Sequence, residues 1–466
     1  MTDLRDIRVH LDPCYEAFQI RDKVELTIRQ LLFLLGGRAS FDSTREDSDL
    51  SYGPRPSAPA WFGASPAAWN SIESSVPKVS QGLTVPSQAV EIDHVDWVLA
   101  SYYFLAGLYE IGPDFRELVG DRVPGSQIAQ WGLDEQPLVE FYANKLKGAL
   151  PAGTAPRWPP GKAWALVLSH DCDIPFQYDF RLYGRRGLHA LLHADWRTFA
   201  TDLAKLIYIS LSALVRRDPK RESLLRIARI EYEAGVRGTY YWSTRQKDPT
   251  DPEDREVPYN VEDPAIRELV QTIRSLGHEI GLHNSIASPQ SEQHLQEDIG
   301  RFRQYLGGDL VGMRGHYWSL GEEPEKTLEW AQKAGLRYDA SYGMNIIWGY
   351  RRGVCYPFPS LAGDGQLHSL PTILMDGAFK PLATRRDRLD RLLRTAEQVK
   401  SSGGCLVIDW HSEALMLSWG NGVGSTLFDI IDLGMNDSSC WVCTAAECVR
   451  WCAEERWNPS ETLDKH

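Results

Sequence analysis

The sequence lacks the apolar run of about 18 residues or more that a transmembrane helix needs. Its N-terminal segment, MTDLRDIRVHLDPCYE, carries acidic residues where a secretory signal would place an apolar stretch. It also lacks an excess of basic residues, because 50 lysines and arginines stand against 63 aspartates and glutamates, a formal net charge of −13. These absences predict a cytoplasmic protein without a transmembrane segment. They also argue against nucleic acid or an anionic membrane as its main partner.

The eight cysteines are spread through a large chain with no recognisable secretory signal, so we expect reduced thiols. Four of them fall within SCWVCTAAECVRWC, which superficially suggests a zinc site. The spacing fits a final strand and an amphipathic helix better, since Cys448 and Cys452 are one helical turn apart and would share one buried face. The segment LLGGRAS lacks the Gly-Lys-Ser/Thr ending of a phosphate-binding loop and is interpreted as a turn.

The chain of 466 residues is long enough for two domains. The segment LPAGTAPRWPPGK is rich in Pro and Gly and predicts a linker with a boundary near residue 155. Residues 1–155 are expected to form an accessory domain of unknown role, with helices in VELTIRQLLFLLGG and VDWVLASYYFLAGLYEI. Residues 163–455 form the second predicted domain, and 456–466 a tail.

After the linker, short apolar runs alternate with helical patterns, which is typical of strand-helix units around a parallel sheet. The apolar runs are AWALVLS, VRGTYYWS, HEIGLH, LVGMRGHYW, LRYDASYG, CLVIDWH and SSCWVCT. A closed or nearly closed (β/α) barrel follows, and the chemistry of such barrels lies at the carboxyl ends of the strands. A partly helical insertion at about 181–222 interrupts the first unit and could cover that rim.

Polar residues gather at four predicted strand ends. The first strand runs into SHDCDIP, where alternation puts Asp171 and Asp173 on one face and His170 and Cys172 on the other. Two carboxylates presented together can bind a cation or divide acid and base roles between them. The other ends, GHEIGLHNS, MRGHYW and IDWHSE, supply His283, Arg314, His316, Tyr317, Asp409, Trp410 and His411. Four such ends converging on one rim predict an active site rather than chance polar exits.

This run of motifs resembles the NodB-like polysaccharide deacetylases, and among them a subfamily with an extra N-terminal domain. LSHDCDIP is similar to that subfamily's Thr-His-Asp-Val-Asp segment, GHEIGLHNS to its Gly-His-Glu-Ile-Gly-Leu-His segment, and MRGHYW to its Arg-x-His-Tyr segment. YDASYG, GYRRGVCYPF, SLPTILMDGAF and DWHSEAL follow in the same order. The resemblance covers residues 163–455 well and the N-terminal part more loosely.

The resemblance implies an irregular (β/α)7 NodB-type barrel, similar to a TIM barrel, preceded by a smaller N-terminal α/β domain. It also implies a divalent metal, most often zinc. By position, Asp171 would be the general base, Arg314 would keep it ionised and His411 would protonate the departing amine. Asp173 and His283 would be metal ligands. The expected substrate contacts are Tyr317, Trp410 and Arg351.

Two departures from the family pattern stand out. The family's His-x-x-x-His motif would put a ligand four residues after His283, where this chain has Ala287. The family's paired aspartates are here separated by Cys172, which leaves base and ligand exchangeable between Asp171 and Asp173. His316 stands where most members have Pro, and we name it as the candidate third ligand, with Asn284, Ser285 or water as weaker substitutes.

The leading functional hypothesis is metal-dependent hydrolysis of an N-acetyl group on an amino sugar of a polysaccharide or its precursor. An amino-sugar glycan would then be the partner. One alternative is a sugar deformylase or another small-amide hydrolase, since the same machinery would serve. The other is a non-catalytic carbohydrate-binding protein on a decayed barrel, which the missing histidine at Ala287 suggests. Fold resemblance alone does not decide among these.

Overall fold

The structure of the chain is a computed structural model. It describes residues 5–41, 44, 47–53, 61–62, 66–75, 77–80, 83–91, 94–110, 135–146, 158–176, 188, 191–192, 196, 199–200, 203–204, 206–207, 210, 218–248, 254–344, 348–361, 365–412 and 423–455. The predicted tail at 456–466 and the predicted boundary near 155 lie outside these residues, as does most of the insertion predicted at 181–222.

The N-terminal region contains a small α/β unit, as the resemblance predicts. Its four parallel strands have the order β2-β1-β3-β4. Helix α2 begins before the predicted VELTIRQ segment, and it packs against α4 and α5. Two antiparallel hairpins, β5-β6 and β7-β8, precede α4. The strands are β1 Arg5–Leu11, β2 Gly37–Ser40, β3 Leu50–Tyr52, β4 Trp61–Phe62, β5 Pro77–Ser80, β6 Leu83–Pro86, β7 Val90–Glu91 and β8 His94–Val95, and the helices are α1 Cys14–Ala17, α2 Arg21–Leu34, α3 Pro66–Asn70, α4 Trp97–Leu105 and α5 Leu138–Leu146.

Among the described residues, the second part of the chain forms one curled sheet of ten strands, with the order β14-β15-β13-β12-β11-β10-β9-β17-β16 and with β18 also paired to β9. Every pairing is parallel except that of β14 with β15. The strands are β9 Trp164–Asp171, β10 Thr239–Trp242, β11 Glu279–Asn284, β12 Gly312–Gly315, β13 Tyr338–Asp339, β14 Phe358–Pro359, β15 His368–Ser369, β16 Leu374–Met375, β17 Cys405–Asp409 and β18 Cys440–Cys443. A mixed α/β fold with a curled, barrel-like parallel sheet therefore confirms the predicted fold class.

Seven helices among the described residues cover this sheet. They are α6 Pro219–Glu233, α7 Pro264–Ser275, α8 Glu292–Arg301, α9 Pro324–Lys333, α10 Arg385–Ser401, α11 Gly424–Asn436 and α12 Ala445–Glu455. Two of them begin with Asp-Pro, where the Asp218 and Asp263 side chains accept backbone N–H groups of the first turn and Pro stands at the start of the helix. Helix α6 starts within the predicted insertion, four residues before the predicted helix SLLRIARIEYEAG.

Strand β9 pairs with three other strands of the sheet. One edge pairs with β17 along residues 165–169. The other edge pairs with β18 along residues 164–167 and then with β10 along 169–171. The carboxyl end of β9 is thus held between β10 and β17, which fixes the strand end that carries the paired aspartates.

Two tyrosines fill the interior of the curled sheet below the rim. The Tyr241 hydroxyl donates to Tyr338 at 3.2 Å, and the Tyr338 hydroxyl donates to Glu279 at 2.6 Å. Gly281 and Gly312 leave the space that these rings occupy, because a Cβ at Gly312 would lie 2.1 Å from the Tyr338 ring and one at Gly281 would lie 2.6 Å from Tyr241. The interior below the rim is therefore filled by side chains rather than open, as in closed barrels of this kind.

The cysteine-rich segment forms β18 and α12, as its spacing predicts. Cys448 and Cys452 are buried on one face of α12, and the Cys448 Sγ lies 3.8 Å from the Sγ of Cys405. All eight cysteines are free thiols. Among the described residues, the groups that could hold a metal contain no cysteine. In the same part of the chain, no helix has the length and apolar character required to cross a membrane.

Candidate metal and catalytic centre

The end of β9 presents alternate residues to opposite faces. Ser169 and Asp171 both contact the Arg314 guanidinium in the interior of the sheet. His170 points outward, where its Nε2 lies 2.7 Å from Glu231 of α6 and its Nδ1 lies 2.9 Å from the Trp410 carbonyl. The predicted alternation is therefore present, and the outward contacts attach the end of β9 to α6 and to the residue after β17.

Asp173, His283 and His316 lie together at the rim. The His283 Nε2 is 3.3 Å from Asp173 Oδ1, and the His316 Nε2 is 3.6 Å from Asp173 Oδ2. The possible ligand atoms of the three residues all lie within 4.8 Å of one another. Both histidines are almost fully buried, and Asp173 is partly buried. One carboxylate and two imidazoles form a donor set that suits zinc and similar divalent ions.

The far side of each imidazole is occupied by an orienting group. The Nδ1 of His283 lies 2.9 Å from the Arg314 carbonyl, so it donates there and leaves Nε2 facing Asp173. The Nδ1 of His316 lies 3.5 Å from Glu256 Oε2, an ion-pair contact in which neither atom makes a hydrogen bond, and Glu256 Oε1 accepts the backbone N–H of Ile286 at 2.8 Å. Partners of this kind fix the orientation of metal-binding histidines. Asp173 Oδ1 is buried and accepts no hydrogen bond. Because buried polar atoms normally have a partner, this oxygen suits a metal ligand.

The electrostatics of this group are those of a cation site. Burial alone would raise the pKa of Asp173, but His316 and His283 lower it well below its usual range. Burial would lower the pKa of His316, yet the Asp173 and Glu256 carboxylates raise it to about 10. The carboxylates of this group therefore attract positive charge strongly enough to overcome burial.

Arg314 is the buried cation of a second group. Its Nη1 donates to Asp171 Oδ1 at 2.9 Å and to Asp409 Oδ1 at 3.1 Å, and its Nη2 donates to Ser169 Oγ at 2.6 Å. Its guanidinium carbon lies 4.3 Å from the centre of the Tyr241 ring. Burial would raise the pKa of Asp171, but His283 and Arg314 lower it. Burial and the nearby charge of Asp171 raise the pKa of Asp409 to about 7.

Asp171, Asp409 and His411 also lie close enough together to hold a metal. The Arg314 guanidinium already bridges the two carboxylates, so this group has its positive charge within the protein. The two groups therefore differ in kind. The Asp173 group is the candidate metal centre, and the Asp171 group is organised around an arginine.

His411 stands opposite the two candidate metal-binding histidines. Its side chain is 19% exposed, and its Nε2 lies 3.8 Å from Asp173 Oδ2. The buried Asp376 carboxylate accepts the His411 backbone N–H at 2.8 Å and lies 3.2 Å from the ring Nδ1. Burial would lower the pKa of His411, but Asp376 and Asp409 raise it well above its usual range. The ring is therefore held as an imidazolium facing the rim.

The three predicted substrate contacts differ in position. Tyr317 is partly exposed and stacks on the His316 ring with centroids 4.4 Å apart. Trp410 is fully buried and packs against Phe379 with centroids 5.7 Å apart. Arg351 is 6% exposed, and its guanidinium points into the protein toward Glu110. Of the three, only Tyr317 has a side chain that is more than marginally exposed in the described part of the chain.

Sequence reasoning did not assign Glu256 or Asp376 to the site. Asp376 follows directly after β16, so the rule that polar residues at strand ends carry chemistry could have found it. Glu256 lies in a loop between β10 and α7 and has no periodic or spacing signal. Asp409 was placed at the rim by its strand, but its contact with Arg314 depends on tertiary packing.

Comparison with solved structures gives matches to polysaccharide deacetylases and to an allantoinase, over about two thirds of this chain. A protein from Mycobacterium smegmatis assigned as a polysaccharide deacetylase matches with 18% identity, 65% coverage of this chain, 94% coverage of its own and a TM-score of 0.43. One from Pseudomonas aeruginosa PAO1 matches with 14% identity, coverage of 66% and 96%, and a TM-score of 0.43. Puue allantoinase matches with 13% identity, coverage of 66% and 95%, and a TM-score of 0.43. No family model and no curated protein matches the chain.

Proposed function

We propose that this chain is a metal-dependent hydrolase that removes the N-acetyl group from an amino sugar of a polysaccharide or its precursor. One observation carries the proposal. A candidate metal group, Asp173 with His283 and His316, lies beside an aspartate held by Arg314 and an imidazolium held by Asp376. A cation site, a base and an acid at one rim are the parts that amide hydrolysis requires.

In this proposal, Asp173, His283 and His316 hold the divalent ion, and zinc fits their donor atoms. The bound ion supplies Lewis-acid polarisation of the acetamide carbonyl. Glu256 and the Arg314 carbonyl orient the two imidazoles. The two aspartates divide their roles by their neighbours. Asp173 lies near both histidines, whereas Asp171 lies 3.6 Å from His283 through one oxygen and is held by the Arg314 guanidinium through the other.

Asp171 is the proposed general base that accepts a proton from the attacking water. Arg314 keeps this carboxylate ionised, and its contact with Asp409 and Ser169 fixes the guanidinium. His411 is the proposed general acid. As the carbon–nitrogen bond of the acetamide breaks, its Nε2 gives a proton to the departing nitrogen, so that acetate and a free amine result. Tyr317, stacked on His316 and partly exposed, is the proposed substrate contact.

The presence of Arg314 and Asp376 favours catalysis over binding alone. A carbohydrate-binding module on the same fold needs no buried guanidinium beside an aspartate and no carboxylate behind a histidine. A deformylase would use the same groups, so the two hydrolases differ only in the acid that is released.

The test is to supply the purified full chain with Zn²⁺ and measure acetate and formate release from N-acyl hexosamine oligomers and nucleotide sugars. Asp171→Asn and Asp173→Asn form a matched pair. Asp171→Asn should retain zinc and lose about 100-fold or more in kcat, whereas Asp173→Asn should lose zinc. Formate as the only acid would support the deformylase, and glycan binding without turnover would support the binding protein. Retention of zinc by Asp173→Asn, His283→Ala and His316→Ala alike would refute the metal site.

A further inference from the structure

One of the contacts between the N-terminal region and the barrel is at the turn that contains Arg351 and Arg352, where the buried Glu110 carboxylate pairs with both guanidinium groups. Glu110 is the last residue of the short 3₁₀ helix Leu108–Glu110 that follows α4, and its side chain is 6% exposed. Its Oε1 accepts from Arg351 Nε at 3.0 Å, and its Oε2 lies 3.3 Å from Arg352 Nη2. The Tyr109 hydroxyl donates to the Arg351 carbonyl. The Glu110–Arg351 pair joins residues that are 241 positions apart in the sequence.

The approach of the two regions is specified by a glycine. Gly107 has a φ of +63°, and a Cβ at that position would lie 1.3 Å from Arg352 Nη1. A side chain at position 107 would be strained at this φ and would displace the Arg352 guanidinium, so glycine permits the observed contact. Arg352 lies on the other side against the Tyr342 ring, with 4.0 Å from its guanidinium carbon to the ring centre.

The Nη2 of Arg351 also donates to Glu110, at 3.3 Å, and the third guanidinium nitrogen lies at the rim. This nitrogen, Nη1, lies 3.3 Å from the Trp318 carbonyl, 3.3 Å from the Ser341 carbonyl and 3.2 Å from the Gly343 carbonyl. These carbonyls belong to the loops that follow β12 and β13. One guanidinium thus connects Glu110 of the N-terminal region to both loops at the rim.

The loop after β12 needs such support because its backbone is strained. It contains His316, and the two residues that follow have left-handed conformations, with φ of +54° at Tyr317 and +59° at Trp318. Residues other than glycine hold such conformations only where their surroundings fix them. The Ser341 hydroxyl accepts the Gly315 backbone N–H at 2.7 Å, which holds the start of the loop, and Arg351 holds the carbonyl at its end.

We propose that Glu110 and Arg351 are a positioning pair through which the N-terminal region holds the His316 loop in its ligand-binding conformation. The proposal rests on the proposed metal centre. The N-terminal region would then influence the metal centre through Glu110 and Arg351, without placing a residue of its own at the rim. Arg351 is then a positioning residue, since a substrate would have to displace Glu110 and three carbonyls to reach its guanidinium.

The test compares Arg351→Lys with Arg352→Lys in the full chain. Both keep a positive charge beside Glu110, but a lysine at 351 cannot serve the carboxylate and three carbonyls at once. Arg352 contacts Glu110 and Tyr342, and no hydrogen bond from it to the His316 loop is found in the described residues. The Zn²⁺ dissociation constant is measured by chelator competition, and hydrogen exchange of the 312–319 amides is measured on the metal-free proteins.

We expect Arg351→Lys to weaken Zn²⁺ binding about tenfold or more, the usual effect of losing an orienting group, and to speed exchange of these amides. Arg352→Lys should change neither more than about twofold. Equal effects in the two variants, or none with Arg351→Lys, would overturn the proposal. If Arg351→Lys does not fold, Glu110→Gln tests the same link from the other side. Glu135→Gln is its control, because Glu135 pairs with Arg391 in an exposed contact between the same two regions. Zinc binding without acetate release would refute the proposed reaction and leave this inference intact.

Discussion

The Asp376 carboxylate contacts His411 at two nitrogens of the histidine. It accepts the His411 backbone N–H at 2.8 Å and lies 3.2 Å from the ring Nδ1. This double contact fixes the position of the ring and favours its protonated form. The other ring nitrogen is thereby left to face the candidate metal group. The relationship makes Asp376 as important to the proposed acid as Arg314 is to the proposed base.

We therefore expect Asp376→Asn to lower kcat by about 100-fold or more, the range for loss of general-acid function, while Zn²⁺ affinity changes little. Asp376 raises the pKa of His411, so its loss should lower that pKa. Because a general acid must be protonated, the alkaline limb of the kcat profile should move to lower pH. An unchanged alkaline limb would show that His411 is not the acid.

Glu256 is expected to support zinc binding through His316. Glu256→Gln keeps an oxygen for the Ile286 N–H but removes the charge behind the imidazole, so Zn²⁺ affinity should fall about tenfold or more. Glu262→Gln is the matched control, because Glu262 pairs with Arg301 in an exposed contact. Chelator competition measures both variants. Equal affinities in the two would remove Glu256 from the site.

Loss of Arg314 should affect both stability and catalysis. Arg314→Met leaves Asp171 and Asp409 buried without their shared cation, and breaking a buried ion pair typically costs about 3 to 5 kcal/mol. The pKa of Asp171 should rise, so the acidic limb of the kcat/KM profile should move to higher pH. Urea unfolding measures the stability. Lys326→Met, which breaks the exposed pair with Glu323, should cost about 1 kcal/mol or less.

His368 gives a prediction for stability against pH. It is 2% exposed, and burial lowers its pKa to about 4. In the unfolded chain this imidazole takes up a proton near the usual pKa of 6.5, whereas the folded protein resists protonation until about pH 4. The stability contributed by the neutral His368 is therefore fully present above pH 6.5 and is lost as the pH falls toward 4. At about 1.36 kcal/mol per pH unit, the loss approaches roughly 3 kcal/mol.

His368→Gln should therefore flatten the decline in the free energy of unfolding between pH 6.5 and 4, as measured by urea titrations at several pH values. His294→Gln, at the start of α8, is the control. A decline as steep in His368→Gln as in the parent protein would assign the acid sensitivity to other groups.

Much of the barrel could be predicted from the sequence because its signals are local. Apolar runs that alternate with helical patterns indicate strand-helix units. Because the carboxyl ends of barrel strands meet at one rim, the sequence alone predicts that these residues lie together: Asp171, Asp173, His283, Arg314, His316 and His411. The structure confirms the fold class and shows that Asp173, His283 and His316 form one group. The cytoplasmic location, the domain boundaries and the roles of the site residues stay predictions.

What the sequence did not reveal depends on distant contacts. The orientation of Arg351 is set by Glu110, which is 241 residues away, so a motif around Arg351 suggested a substrate contact where the guanidinium points inward. Trp410 follows a strand end, yet its ring packs against Phe379 rather than at the surface. Glu256 reaches His316 from a loop without any regular pattern. Such partners follow from packing and not from spacing.

The double pairing of β9 has a consequence for the order in which the molecule is assembled. At residues 164–167, one edge of β9 pairs with β18, which begins at Cys440. During synthesis, the backbone N–H and C=O groups on that edge therefore have no strand partner until nearly the whole barrel has been translated. The strand that leads to the paired aspartates is thus the first of the barrel strands to be synthesised, and its pairing is among the last to be completed. A nascent chain stopped before residue 440 should present an open strand edge, a natural target for chaperones and for aggregation.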